Sequence, residues 1–187
     1  MTDFNWVTLV TLTLAVLADT TDQKLEEELK CLHKKPSDQC DISVTFPEPL
    51  GRLTCDDIVS VKDGKNMSKL PEFKVMGSNP SGPAVLLIFD PDAPVSNDPR
   101  DGYIHLMAQA SIDKEGKVTI TKTFIQYTPP APPVTNAAHR YQVFVYPLPP
   151  GTKIKSGTDR KFQLCLFVLA HHLGQPTSAF QFRYKSS

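Results

Sequence analysis

The stretch "LLIFDPDAPVSNDPRDGYIHLMA", Leu86 to Ala108, decides how this chain is read. An apolar run ends abruptly in Asp90-Pro91-Asp92-Ala93-Pro94, and a second apolar run a few residues on contains one histidine, His105. "AVLLIF", Ala84 to Phe89, is apolar at every position. A strand with that texture is covered on both faces, so it belongs at the centre of a sheet. The prolines stiffen the loop that follows it, so two carboxylates are held at one sheet edge with little conformational freedom left to lose. Two readings of Asp90 and Asp92 stand open. Aspartate side chains satisfy nearby backbone N–H groups in ordinary turns, or the pair serves a site at one edge of the sheet.

Outward from this stretch, short strands dominate. "ISVTF" alternates, "PEFKVM" is brief, and "RYQVFVYPL" reads as another buried strand. "YIHLMAQASI" and "KVTITKTF" flank Asp113-Lys114-Glu115-Gly116, which reads as a hairpin turn. In the first of these, strand alternation puts Tyr103 and His105 on one face and Ile104 and Leu106 on the other. "KFQLCLFVLAHHLGQP" has helical spacing and stops at Gly174, with Pro176 two residues on. "SAFQFRY" reads as a last strand. Near the N-terminus, Leu25, Leu29 and Leu32 fall at i, i+4 and i+7, a one-faced helix with Thr21 as N-cap. The fold class expected is mainly β, a β-sandwich with a few peripheral helices.

The chain has 187 residues and no formal net charge, so one globular domain is expected and nothing argues for nucleic acid or an acidic membrane surface. Phe4 to Ala18 is uncharged and about one signal-sequence core long, shorter than the ~20 residues of a spanning helix. Val16-Leu17-Ala18 suits cleavage, giving a signal peptide over 1–18, a single domain over 19–187 and a secreted product. Cys31, Cys40, Cys55 and Cys165 are an even set, read as two disulfides. Cys31 and Cys40 close a short loop around "LHKKPSDQ", so that pair is expected, with Cys55–Cys165 as the remainder. Asn66-Met67-Ser68 is an N-glycosylation acceptor; Asn79-Pro80-Ser81 is not.

Other candidates for chemistry also sit at strand ends. His139-Arg140-Tyr141 opens an apolar strand, with His139 and Tyr141 on one face. "YTPPAPP", Tyr127 to Pro133, precedes it as a rigid loop able to wall a cavity. Imidazole, tyrosine hydroxyl and backbone N–H groups can bind a small anion by charge-assisted hydrogen bonds, with the aspartates orienting the histidines. The same groups can hold a metal. His171 and His172 are adjacent on a helix, point about 100° apart and are read as exposed. No G-x-S-x-G, H-E-x-x-H or Gly-rich phosphate loop occurs.

Taken in order, "DPDAP" after an apolar strand, an aromatic-x-His strand, a Y-x-x-P-x-P-P loop and "HRY" before an apolar strand resemble the phosphatidylethanolamine-binding protein family. That family includes Raf kinase inhibitor proteins and plant flowering regulators. The later "LGQP" resembles its helix-ending L-G-x-P, and the likeness runs from about Ile42 to Tyr184. The resemblance implies a β-sandwich with a small pocket at one end for phosphate-type head groups. Carried over by position, Asp90, His105, His139 and Tyr141 match pocket residues, and Pro94, Pro132 and Pro133 match its walls. Asp92 and Arg140 match the motif's second aspartate and its arginine. Gly102-Tyr103 stands where the family has Glu-Trp, so Tyr103 takes the place of the larger aromatic. Leu106 follows the histidine where the family has tryptophan, Pro129 replaces a glycine, and the family's C-terminal helix has no counterpart before Ser187.

The function expected is therefore a secreted, monomeric, non-enzymatic protein that binds phosphate or a phospholipid head group, without cofactor or metal. The alternative is an extracellular protease inhibitor or signalling modulator that works through a protein partner, with the pocket vestigial. A metal-assisted hydrolase ranks below both, because the ligand spacing is loose and no base–nucleophile pair is evident.

Overall fold

The computed structural model describes residues 36–59, 65–77, 81–93, 101–133, 137–155 and 157–185. The expected signal sequence, the Leu25–Leu32 helix, Cys31 and Pro94 lie outside the described residues.

In chain order the elements are α1 (Pro36–Gln39), β1 (Ile42–Thr45), β2 (Ile58–Val59), a 3-10 turn (Lys65–Ser68), β3 (Glu72–Val75), β4 (Gly82–Asp90), β5 (Gly102–Ile112), β6 (Val118–Ile125), β7 (His139–Pro147), β8 (Lys161–Phe162), α2 (Leu164–Ala170) and β9 (Ser178–Tyr184). The chain is mainly β, as expected. The large sheet runs β2-β9-β7-β4-β5-β6, with β8 paired to the start of β5; β1 and β3 form a second, two-stranded sheet.

β4 lies between β7 and β5, which explains its apolar texture. Ala84, Leu86 and Ile88 face the core shared with Ile42, Val44, Phe73 and Val75 of the small sheet. Val85, Leu87 and Phe89 face a second core closed by Leu164, Phe167 and Val168 of α2. A strand buried on both sides has no place for a polar side chain until it leaves the sheet, and β4 leaves at Asp90.

The β5–β6 turn forms at the expected residues. The Asp113 carboxylate accepts the N–H groups of Glu115 (3.0 Å) and Lys117 (2.8 Å), and Gly116 takes the left-handed conformation that closes the hairpin. The Gly116 carbonyl then accepts Val75 N–H at 2.8 Å, tying the hairpin to β3.

Three local expectations are corrected. Lys161 and Phe162 are not helical: they pair with Tyr103 and Gly102, and the helix starts only at Leu164. His171 is half-buried rather than exposed, because its Nδ1–H donates to the Phe167 carbonyl (2.8 Å) and its Nε2 accepts Lys155 N–H (3.0 Å); His172 is exposed.

The third correction is the disulfide pairing. Cys40 bonds to Cys55, so neither Cys31–Cys40 nor Cys55–Cys165 forms. The reason is non-local. Asp41, next to Cys40, donates its N–H to the Ala179 carbonyl, and Asp56, next to Cys55, donates to the Gln181 carbonyl. The two cysteines are thus pinned side by side along β9. Cys165 is also disulfide-bonded.

Candidate functional site

Asp90 ends β4 and is almost wholly buried, 1% exposed. One carboxylate oxygen accepts the Asp92 N–H at 2.8 Å, the Asx-turn role left open by the sequence. The other accepts the Nδ1–H of His139 at 2.9 Å. Asp90 therefore shapes the loop and orients a histidine at once. Burial raises its carboxyl above the usual range, against the opposing pull of His139 and the Asp92 N–H. Burial, reinforced by the charge of Asp90, likewise raises the Tyr141 phenol well above its ordinary range.

Asp92 and Arg140 pair with each other. Burial of Asp92 opposes ionisation but is outweighed by Arg140, whose guanidinium (2.7 Å) and backbone N–H (2.8 Å) hold the carboxyl below its usual range. This half-exposed clamp crosses from the β4 loop to β7 beside the Asp90–His139 contact, and fixes the register of the two strand ends.

His105 arrives by a device that strand alternation does not reveal. Ile88 pairs with Leu106 and Phe89 with Ile104, so His105 is the extra residue of a β-bulge. The expectation that Ile104 and Leu106 share a face is thereby overturned: Ile104 packs in the α2-side core and Leu106 in the small-sheet core. The bulge keeps an imidazole at a position where regular pleating would change the face of every residue beyond it. His105 Nδ1–H donates to the Thr128 carbonyl at 2.7 Å, and Thr128 N–H returns a bond to the His105 carbonyl at 2.9 Å. This pair docks the proline loop onto β5. Burial, with smaller contributions from the charges of Arg160 and His139, lowers the imidazole to about 4, so His105 is neutral at pH 7.

The aromatic rings join these parts. Tyr103 lies 4.8 Å from His105 by ring centroids, His105 meets Tyr141 edge-on at 5.2 Å, and Tyr141 stacks on Phe182 at 5.2 Å. Asp90, His105, His139, Tyr141 and Tyr103 thus form one continuous contact set. Of the wall prolines, Pro132 is buried and Pro133 is exposed. Tyr127 anchors the same loop from below, donating its hydroxyl to the Met67 carbonyl at 2.8 Å.

Two contributors were not singled out from the sequence for these roles. Arg160 donates to the carbonyls of Ile104 (3.0 Å) and Gln126 (2.9 Å), and its guanidinium lies 5.7 Å from the Tyr103 ring centre. No motif marks it, because its partners are backbone atoms more than thirty residues away. Gly102 is the other. A Cβ there would meet the Phe89 ring at 2.2 Å and the Asp90 carbonyl at 2.8 Å. The Gly102 departure noted in the sequence is therefore matched by Phe89, whose ring takes the space of a side chain.

An open groove of about 780 Å³ lies elsewhere, between the small sheet and β6, lined by Phe73, Lys74, Asp113, Lys117 and Ile120 among others. It holds no histidine and does not overlap the Asp90–His139 set. Among the described residues no three His, Cys, Asp or Glu side chains gather as a metal site, and no helix is long and apolar enough to cross a membrane.

Comparison with solved structures agrees with this architecture. A carboxypeptidase Y inhibitor, solved in complex with its cognate proteinase, is 18% identical and superposes with a TM-score of 0.64 over 78% of this chain and 83% of that one. The phosphatidylethanolamine-binding protein of Plasmodium vivax is 15% identical, TM-score 0.57, over 78% and 85% of the two chains. That of Plasmodium falciparum is 17% identical, TM-score 0.54, over 84% and 95%. The family model described as phosphatidylethanolamine-binding protein matches residues 37–183. With that match spanning most of its length, the chain belongs to the phosphatidylethanolamine-binding protein family.

Proposed function

We propose that this protein binds a small phosphate-type anion, free or as a phospholipid head group, without chemical turnover. The observation that carries the reading is the pairing of two histidines from different strands, each fixed through Nδ1. Asp90 takes the Nδ1–H of His139 and the Thr128 carbonyl takes that of His105. Both rings therefore leave Nε2 to meet a ligand, while Tyr141 and Tyr103 pack against His105 between them. Neutral His105 presents a lone pair at Nε2 and accepts a hydrogen bond from a protonated phosphate oxygen. His139, oriented by Asp90 through Nδ1, leaves its Nε2 for the same ligand. A hydrogen-phosphate group carries both acceptor oxygens and a proton to donate. Asp90 acts by orientation, with its own oxygens already bonded.

A secreted protein with its signal sequence over 1–18 fits this reading. The Cys40–Cys55 bond supports an oxidising compartment, where Asn66 would carry a glycan. The test is a titration of purified protein with phosphate and with phosphoethanolamine, followed by NMR of the imidazole protons. Shifts at both His105 and His139 are expected; two unmoved histidines would end the proposal.

One observation favours a second reading. The carboxypeptidase Y inhibitor of the same fold acts on a proteinase, so an extracellular protease or signalling protein is the alternative partner. Inhibition that survives both His105→Ala and His139→Ala would separate that activity from the pocket.

A further inference from the structure

We propose that the pocket selects for a proton on its ligand: it takes hydrogen phosphate or a phosphate monoester and turns away proton-free tetrahedral anions, sulfate and phosphodiesters among them. The inference rests on the anion-binding reading above and narrows it, because a phospholipid whose phosphate joins two alcohols is a diester and has no P–OH.

The selection follows from one hydrogen bond. His105 Nδ1 lies 2.7 Å from the Thr128 carbonyl oxygen, and Thr128 N–H bonds back to the His105 carbonyl at 2.9 Å. A carbonyl only accepts, so Nδ1 carries the ring proton. A neutral imidazole has one such proton, which leaves Nε2 as a bare lone pair. Turning the ring over would abandon the Thr128 bond. His105 is only 4% exposed, yet this lone pair is within reach of a ligand. Among the described residues the buried side-chain polar atoms without a hydrogen-bond partner are Gln39 Oε1 and the Tyr146 hydroxyl. The unbonded Nε2 of His105 is not one of them, so it opens to solvent.

An acceptor at that point reads the protons of the ligand. A P–OH group donates to it. An oxygen of sulfate or of a diester has nothing to donate and sets lone pair against lone pair. Such an anion is accommodated only where His105 takes a second proton from solvent. Burial, with the charges of Arg160 and His139, holds the imidazole down to about 4. At about pH 6 roughly one molecule in a hundred carries that proton, so binding through the charged ring is weakened about 100-fold. The neighbouring carboxylates act in the same direction. Tyr141, 5.2 Å from His105 by ring centroids, has its phenol raised by burial and by the charges of Asp90 and Asp92. A proton on the ligand lessens its repulsion from those two groups.

The experiment is calorimetric titration of the purified protein at about pH 6 with inorganic phosphate, methyl phosphate, sulfate and dimethyl phosphate. The first two should bind at least about tenfold more tightly than the last two. Sulfate carries more charge than dimethyl phosphate and keeps the shape of phosphate, so neither charge nor shape alone weakens both. Nitrogen-15 spectra of the free protein should show the His105 proton on Nδ1 and none on Nε2. In His105→Gln, whose carboxamide can turn either an N–H or an oxygen to a ligand, the phosphate-to-sulfate ratio should shrink to about threefold or less. Sulfate or dimethyl phosphate binding within tenfold of phosphate, a proton on His105 Nε2, or an unchanged ratio in His105→Gln would overturn the selection and leave the anion-binding reading standing. Binding of none of the four anions would remove both.

Discussion

The Asp90 carboxylate receives the His139 imidazole at 2.9 Å, across 49 residues of sequence, with both side chains buried. This contact joins the end of the central strand to the start of its neighbour. It makes Asp90 the residue whose removal tests the site most directly. Asp90→Asn keeps the size and the Asx turn but removes the carboxylate that orients His139 through Nδ1. Hydrogen bonds to charged groups contribute about 1.5–3 kcal/mol, so phosphate affinity by calorimetry should fall roughly 10- to 100-fold. Stability should change less than affinity, because burial already disfavours the ionised Asp90 carboxyl.

His105 should shape the acid limb of stability. Its folded value is lowered to about 4, chiefly by burial. Between pH 4 and the ordinary histidine range the unfolded chain binds the proton that the folded chain refuses. Its contribution is present above pH 6.5 and is lost as pH falls through 4, a cost of about 3 kcal/mol at most. Asp90, raised by burial, works in the opposite direction: its folded form holds its proton longer, favouring the folded state as pH falls. Urea midpoints at pH 7 and pH 4.5 should therefore differ less in His105→Gln than in wild type. An identical pH dependence in the two proteins would contradict the assignment.

Gly102 should not tolerate a side chain. A Cβ would sit 2.2 Å from the Phe89 ring and 2.8 Å from a backbone carbonyl. Overpacking of this kind costs about 1–3 kcal/mol, so Gly102→Ala should lower the urea midpoint. Adding Phe89→Leu, which removes the ring, should recover part of the loss.

Arg160 should affect His105 without touching it through a hydrogen bond. Its guanidinium donates to the carbonyls of Ile104 and Gln126, and its charge is one of the causes that lower the His105 value. Arg160→Met should move the His105 titration upward, read by NMR. It should also destabilise the fold by about 1–3 kcal/mol through the two abandoned carbonyls. A downward movement would be the wrong sign.

The Cys40–Cys55 bond closes a loop of 15 residues. By chain entropy that constraint is worth about 3 kcal/mol. The double variant Cys40→Ser/Cys55→Ser should lose that amount in chemical unfolding. The Asp90–His139 contact lies outside this loop, so ligand titration should be nearly unchanged.

Local pattern carried much of the fold. The all-apolar Ala84–Phe89 run marked the central strand, and Asp113–Gly116 marked the hairpin, because burial periodicity and turn chemistry are written within a few residues. The motif order singles out Asp90, His105, His139 and Tyr141, and the fold sets Asp90 against His139 and His105 against Tyr141. Other features were decided only in three dimensions. Bulging of β5 at His105 depends on the register against β4. The vacancy that Gly102 leaves is filled by Phe89 from the adjacent strand. Arg160 reaches backbone carbonyls of β5 and the loop beyond β6. Cysteine pairing followed the attachment of Asp41 and Asp56 to β9, not the shorter loop. Each of these is an interaction between segments distant in sequence, where packing and hydrogen-bond satisfaction select one partner among several that local sequence leaves equivalent.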